Sequence, residues 1–325
     1  LEQQLSKIIV LVGISGSGKS TFAKKYCYSK NNTIIVSRDN VRMLLFGHNE
    51  QDLNEYYKDN RIKKKESIVS NHIDVIIRKA IRDGFDIIAD NTHLSEKYIN
   101  NYKKYAVPIE VVVFDDVDKE KCLHLDGLRN YGKAVGEEII NKQWKQFESL
   151  LSKIDTIKED IRNYNSFLNN IMISSKKAEE SFEDKFFKNS AIIVDIDGTI
   201  AHADGRNLFD FSKVIDDVPD RPLNHLLAII NQGMFNFEDI IICSGREETC
   251  REDTEKWLDK NDFSYSKLYM RKKGDYRKDW MVKAEMWEEI QKTHNIVMMI
   301  DDRAQVVDFA RRLGYKVAQV DYGEF

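Results

Sequence analysis

The chain has 325 residues, of which 42% are hydrophobic and 32% charged, with a formal net charge of -4. That length supports two domains with real cores, and the charge excludes a protein that coats long nucleic acid through a broad basic surface, though not one that grips a single end. No apolar run approaches the ~20 residues of a membrane span, so no membrane partner is expected. The run Ile8–Val12 is too short for a signal-peptide core. Cys27, Cys122, Cys243 and Cys250 lack C-x-x-C spacing. The expectation is a cytoplasmic protein with reduced thiols.

Lys7–Val12 reads as a buried strand, followed by a Gly-rich turn and a helix from about Lys19. Apolar runs recur at Thr33–Val36, Asp86–Ala89 and Glu110–Phe114, separated by helical segments. That alternation predicts a parallel α/β sheet. It restarts at Ala191–Val194, Asp239–Cys243, Ile296–Ile300 and Lys316–Val320, which predicts a second α/β domain. The division expected is 1–146, a connector over 147–189, and 190–325. In the connector Leu150, Leu151, Ile154, Ile157 and Ile161 fall at near-helical spacing without Pro or Gly. A solvated linker helix packing on the first domain is the plain reading; a dimerisation helix, giving a homo-oligomer, is the other.

Gly13, Ile14, Ser15, Gly16, Ser17, Gly18, Lys19 and Ser20 fit G-x-x-x-x-G-K-[ST] between strand and helix, with Thr21 next. Such a loop turns backbone N–H groups onto phosphate oxygens. Lys19 then reaches the β/γ-phosphates of ATP or another NTP, and the Ser20 hydroxyl is placed for Mg2+. Asp39 and Arg42 follow the second strand, where an open α/β sheet binds ligands. Asp39 suits proton abstraction from an acceptor hydroxyl and Arg42 an anionic acceptor; the alternative for Asp39 is a helix cap. Asp90 ends the third strand as a substrate-positioning acid would. Arg129, Lys133 and Lys142 belong either to a lid over the triphosphate or to a solvated helix face.

In the second half an apolar strand runs into Asp195-Ile196-Asp197-Gly198-Thr199. Carboxylates two apart on an extended strand project the same way and suit Mg2+. One can attack phosphorus while the other handles the proton of the leaving oxygen. Ser244, Gly245 and Arg246 at a strand end, with Lys283 on the helical segment Trp280–Ile290, form a phosphate clamp. Asp301 and Asp302 at a further strand end add metal ligands.

These stretches, with Arg-Asp-Asn-Val-Arg at 38–42, Gly-Asp-Tyr-Arg-Lys-Asp at 274–279 and Ile-Asp-Asp-Arg-Ala-Gln-Val-Val at 300–307, make the chain resemble bacteriophage-type bifunctional polynucleotide 5′-kinase/3′-phosphatases. The second half resembles haloacid-dehalogenase-type aspartyl phosphatases. The resemblance implies a P-loop kinase sheet followed by a Rossmann-like phosphatase, and end healing of RNA or DNA before an RNA ligase acts. It makes Asp39 the kinase base, Arg42 the holder of the acceptor's 3′-phosphate, Asp195 the nucleophile and Asp197 the general acid/base. Ser244, Arg246 and Lys283 hold the transferring phosphate, Thr199 and Gly245 line its site, and Arg271 and Arg277 stand beside it. The family's lid arginine precedes a Lys-Ala-Val segment, here Lys133-Ala134-Val135, and is assigned to Arg129, with Asn130 in the strict register. Gly136 stands where the family has Pro. The rival is a small-molecule kinase fused to a metabolite phosphatase.

Overall fold

The structure, a computed structural model, describes residues 6–47, 53–129, 134–180, 188–203, 205–207, 210–232 and 238–323. Two compact units emerge: Leu1–Lys103 with Val107–Leu168, and Lys104–Ala106 with Asn169–Phe325. Among the described residues no helix is long and apolar enough to cross a membrane.

The first unit is built on β1 (Ile8–Val12), whose residues are all buried. β-Branched residues covered on both faces are the mark of a central parallel strand. After α1 (Lys19–Ser29) come β2 (Thr33–Val36), α2 (Arg38–Phe46), α3 (Leu53–Lys58), α4 (Ile62–Arg82), β3 (Asp86–Ala89), α5 (Glu96–Asn100), β4 (Ile109–Val113), α6 (Lys119–Gly127), α7 (Glu137–Leu151) and α8 (Ile154–Glu180), of which the residues up to Leu168 belong to this unit. The sheet order is β2-β3-β1-β4, all parallel. The loops after β1, β2 and β3 therefore open at one carboxyl edge. Ile9, Leu11, Ala23 and Ile88 form the core beneath it. α7 and α8 occupy most of the segment foreseen as helical.

The second unit runs β5 (Asn189–Val194), β6 (Ala201–His202), β7 (Val218–Pro219), α9 (Arg221–Gln232), β8 (Glu238–Glu247), α10 (Arg251–Lys260), β9 (Lys267–Arg271), α11 (Asp279–Gln291), β10 (His294–Arg303), α12 (Ala304–Arg312) and β11 (Val317–Gly323). Its parallel sheet has the order β11-β10-β5-β8-β9. Strand order reverses about β5, and ligands of such sheets lie at the carboxyl edge of that reversal. β6 and β7 form a small antiparallel pair beyond that edge.

Sequence periodicity predicts neither β9 nor this small pair. β9 is a polar edge strand, Lys-Leu-Tyr-Met-Arg, without the apolar run that marks its neighbours. The strand β5 ends at Val194, so Asp195 and Asp197 lie just past its carboxyl end, and both line one pocket.

α11 is buried nearly all round: Trp280, Met281, Val282, Lys283, Ala284, Met286, Trp287 and Ile290 are covered. A helix apolar on every side is an interior one. Trp280 lies 4.4 Å from the Phe309 ring, centroid to centroid, and fixes the helix that carries Lys283. Replacing Trp280 with Ala is expected to destabilise the second unit by about 3–5 kcal/mol, read from the denaturant midpoint by tryptophan fluorescence. A loss below about 1 kcal/mol would show that the helix is anchored elsewhere.

Candidate functional sites

In the first unit the Gly-rich loop links β1 to α1. Gly16 and Gly18 have φ of 84° and 91°, the left-handed region where a side chain is strained. A Cβ on Gly16 would also strike the Cys122 carbonyl. Ser15, Ser17 and Lys19 are buried, while Ser20 and Thr21 lie exposed on the first turn of α1. Lys19 Nζ donates to Ile14 O at 2.6 Å and to Ser17 Oγ at 3.3 Å. Burial pushes its pKa down to about 8, with Asp90 opposing and Arg129 adding to the fall. Lys19, Asp90 and Arg129 thus share one electrostatic neighbourhood. Arg129 pairs with the buried Asp126 at 3.3 Å. Asp126 Oδ2 also accepts the Val135 and Gly136 N–H groups at 2.9 and 3.0 Å, anchoring that segment to α6. Asn130 and Lys133 lie outside the described residues.

Ser37, not Asp39, holds the cap position of α2. Asp39 sits in the first turn, where a carboxylate meets the positive end of the helix. The Arg38 N–H donates to Asn91 Oδ1 at 3.0 Å, tying the start of α2 to the turn after Asp90. Arg42 Nη1 donates to Asp39 Oδ1 at 2.6 Å, so these two residues meet as expected from their spacing.

The organising acid here is one that the sequence does not flag. Glu66 on α4 accepts from Arg42 Nε at 2.8 Å, Arg42 Nη2 at 2.9 Å, Arg38 Nη2 at 2.8 Å and Tyr56 OH at 2.7 Å. Burial alone would raise its carboxyl, but the two guanidiniums and the phenol hold it down to about 2. Arg42 also lies over the Tyr57 ring at 5.3 Å. A fixed guanidinium next to an Asp that is half exposed can grip an anionic acceptor and present its hydroxyl to that carboxylate.

In the second unit three adjacent strands end at one site. Asp195 follows β5, Ser244 and Arg246 lie on β8, and Asp301 and Asp302 lie on β10. Lys283 Nζ reaches Asp301 Oδ2 at 2.7 Å, Asp195 Oδ1 at 2.9 Å and Asp279 Oδ2 at 3.4 Å. Burial disfavours its charge, yet the three carboxylates overcome that and raise its pKa well above the ordinary lysine value. The acids outnumber it. Burial raises Asp195, Asp301 and Asp302, the last to about 6, and neighbouring carboxylates add to the rise. Asp195, Asp301 and Asp302 bring oxygens within 4.8 Å of one another. A buried, all-oxygen set with surplus negative charge fits a hard cation such as Mg2+. Thr199 Oγ1 donates to Asp302 Oδ1 at 3.4 Å. A Cβ on Gly198 would collide with the same carboxylate.

Several foreseen site residues are engaged differently. Asp197 is outside that trio, and its carboxylate accepts from Arg246 Nε at 2.9 Å, Arg246 Nη2 at 2.8 Å and Arg206 Nη2 at 3.0 Å. Arg246 is completely buried, and both arginines are bridged by the buried Asp217, at 2.6 Å to each. Arg246 therefore clamps Asp197. Ser244 Oγ accepts the Arg246 N–H at 3.2 Å. Arg271 braces backbone and Asp279, donating to Gly245 O, Asp275 O, Arg277 O and Asp279 Oδ1, each at 2.9 Å. Arg277 is held by Asp275 and Glu285. Arg206, Asp217 and Asp279 were not singled out from the sequence. Asp217 meets Arg246 across 29 residues, and Asp279 lies in the 274–279 stretch that carries the resemblance.

The buried Lys19 ammonium yields a pH prediction. Because its pKa falls to about 8, the free protein carries Lys19 partly neutral above that pH. A bound phosphate favours the charged form. Nucleotide binding at pH 8.5–9 should therefore take up protons, measured by calorimetry in buffers of different ionisation enthalpy, and affinity should weaken as pH rises further. Buffer-independent heats at that pH would refute this linkage.

Known proteins share both halves. Residues 189–325 match the family described as the polynucleotide kinase PNKP phosphatase domain, and residues 8–154 match the family described as AAA domain. The chain is similar to a putative bifunctional polynucleotide kinase/RNA ligase of Autographa californica nuclear polyhedrosis virus, 28% identical over 311 residues. The match covers 93% of this chain and 40% of that relative, so the chain spans under half the relative's length. Among solved structures it is similar to a chain of the Pnkp1/Rnl/Hen1 RNA repair complex, 26% identical, with a TM-score of 0.41, over 99% of this chain and 97% of that one. A chain of a second Pnkp1/Rnl/Hen1 complex gives 26% identity and a TM-score of 0.42 over 99% and 98%. The chain therefore joins an N-terminal AAA-type kinase domain to a C-terminal haloacid-dehalogenase-type phosphatase domain of the polynucleotide-kinase kind.

Proposed function

We propose that this protein is a bifunctional nucleic-acid end-healing enzyme. The first unit transfers the γ-phosphate of ATP or another NTP to a 5′-OH end. The second removes a 3′-phosphate, or opens a 2′,3′-cyclic phosphate, through an aspartyl-phosphate. The observation that carries this reading is the pairing, in one chain, of a P-loop and an Asp39–Arg42 pair that follow parallel strands at one sheet edge with a buried acidic site in the half that matches the polynucleotide kinase phosphatase domain. The product ends, 5′-phosphate and 3′-OH, are what an RNA ligase joins. A ligase as functional partner is in keeping with the viral relative, whose name couples kinase to RNA ligase.

In the kinase reaction the Gly13–Thr21 loop and Lys19 cradle the donor phosphates, and Arg129 closes over them. Asp39 takes the proton of the 5′-hydroxyl as its oxygen bonds to the γ-phosphorus. Arg42, held by Glu66, fixes the acceptor through its 3′-phosphate. Asp90, at the adjacent strand end, orients the reacting hydroxyl.

In the phosphatase reaction an Asp195 oxygen attacks phosphorus, and the bond to the 3′-oxygen breaks. Ser244, Gly245 and Lys283 hold the phosphoryl oxygens. Water then attacks the aspartyl-phosphate and regenerates Asp195. Asp197, paired with two guanidiniums, would give a proton to the leaving 3′-oxygen and take one back from that water. Mg2+ held by Asp195, Asp301 and Asp302 would neutralise charge on the transferring phosphoryl group; Ser20 would serve the metal of the NTP.

Three substitutions test the assignment with a short RNA bearing 5′-OH and 3′-phosphate ends, labelled ATP and Mg2+. Asp39→Ala should lower 5′ labelling by at least about a thousandfold and leave 3′-phosphate removal intact, and Asp195→Asn should do the reverse. Loss of both reactions in either variant contradicts two independent sites. Glu66→Gln should reduce 5′ labelling by about tenfold or more, mainly through the acceptor KM; an unchanged KM would deny Glu66 a positioning role.

A further inference from the structure

The phosphatase pocket is larger than chemistry at one phosphorus atom requires. It encloses about 320 Å³ above Asp195 and Asp197, within walls that include Phe211, Arg271, Tyr276 and Arg303. That is the size of a site for a whole small molecule, on the order of 300–1,000 Å³.

Two aromatic rings, Phe211 and Tyr276, are among its walls. Tyr276 is 90% exposed, yet the turn that bears it is rigid. Arg271 Nη1 donates to the carbonyls on both sides, Asp275 O and Arg277 O, at 2.9 Å each. The Arg277 N–H reaches Asp275 Oδ1 at 3.1 Å, and the Asp275 N–H reaches Lys272 O at 3.2 Å. A turn braced in this way that leaves a phenol ring in water presents that ring instead of burying it. Phe211 comes from a different segment and packs on Val214, Cys250 and Met270, which fixes its ring while it remains a pocket wall. Arg277 is paired with Asp275 and Glu285, and Arg271 and Arg303 with Asp279. The two rings add flat faces beside these cations.

We propose that Phe211 and Tyr276 form a stacking subsite for the nucleoside that carries the scissile phosphate. The inference rests on the end-healing reading and deepens it by naming the substrate class. Every nucleobase offers a π-face, so stacking tolerates any sequence. A base already stacked and paired in a duplex must first be unstacked. The subsite thus selects single-stranded or frayed 3′ ends of any sequence.

The test uses the full chain with Mg2+ and two substrates, a single-stranded oligonucleotide with a 3′-phosphate and glycerol phosphate, which has no ring. For Tyr276→Ala the ratio of their kcat/KM values should fall about 5- to 100-fold, chiefly through the oligonucleotide KM. Tyr276→Phe should restore it. Phe211→Leu, with its melting temperature recorded, should lower the ratio in the same direction. An unchanged ratio in Tyr276→Ala, or a parallel fall on both substrates, overturns the subsite while leaving the end-healing reading in place. A wild-type protein that hydrolyses glycerol phosphate but leaves the oligonucleotide's 3′-phosphate untouched overturns both.

Discussion

The buried ammonium of Lys283 is the constraint on which the second unit depends. Three carboxylates, from the ends of β5 and β10 and the first turn of α11, converge on it. Removing such a charge from water is costly unless partners meet it closely on every side. Its helix is buried over most of its surface, with Glu285 and Glu289 exposed, and its strands bring Asp195 and Asp301 level with each other. The backbone does so directly, since the Asp195 N–H donates to Ile300 O at 3.0 Å. Lys283 does not offset the cost of burying these acids. Burial first, and then the neighbouring carboxylates, raise Asp195 and Asp302, and a hard divalent cation would favour their charged forms. The same imbalance that makes the cluster costly in the free protein makes it suited to phosphoryl chemistry, where metal and phosphate arrive together.

The first unit uses the opposite arrangement. There one acid, Glu66, gathers two guanidiniums and a phenol, and so orients Arg42 against Asp39. The Arg246 cluster repeats the logic around Asp197, with Asp217 as the acid shared between two arginines. In each case a second carboxylate, set apart from the reacting one, fixes the guanidinium geometry. Planar bidentate pairing makes arginine suitable for this, where a lysine would act only as a point charge.

Much of this was legible in the chain because the chemistry sits at strand ends. An apolar run followed by Gly, Asp or Ser marks both the strand and the catalytic edge, so β1 to Lys19, β5 to Asp195 and β10 to Asp302 could be read together. Spacing brought Asp39 and Arg42 onto one turn, where the structure pairs them. What could not be read is the partner of each cation. Arg246 was legible as a cation at a strand end, but its partners Asp197 and Asp217 are 49 and 29 residues away, and Glu66 is 24 residues from Arg42. Long-range ion pairs leave no local pattern, so a buried clamp and a phosphate holder look alike in sequence. The edge strand β9 escaped for a related reason: its polar residues are paid no heed by a search for apolar runs.

The most direct test of the acidic cluster as a cation site is calorimetric titration of Mg2+ into the nucleotide-free full chain at about pH 6, comparing wild type with Asp302→Asn. Raised carboxyls that lose protons to a cation predict Mg2+ binding with proton release in wild type, and loss of both in the variant. Binding that is absent in wild type, or that Asp302→Asn leaves unchanged, would contradict a metal site built on Asp195, Asp301 and Asp302.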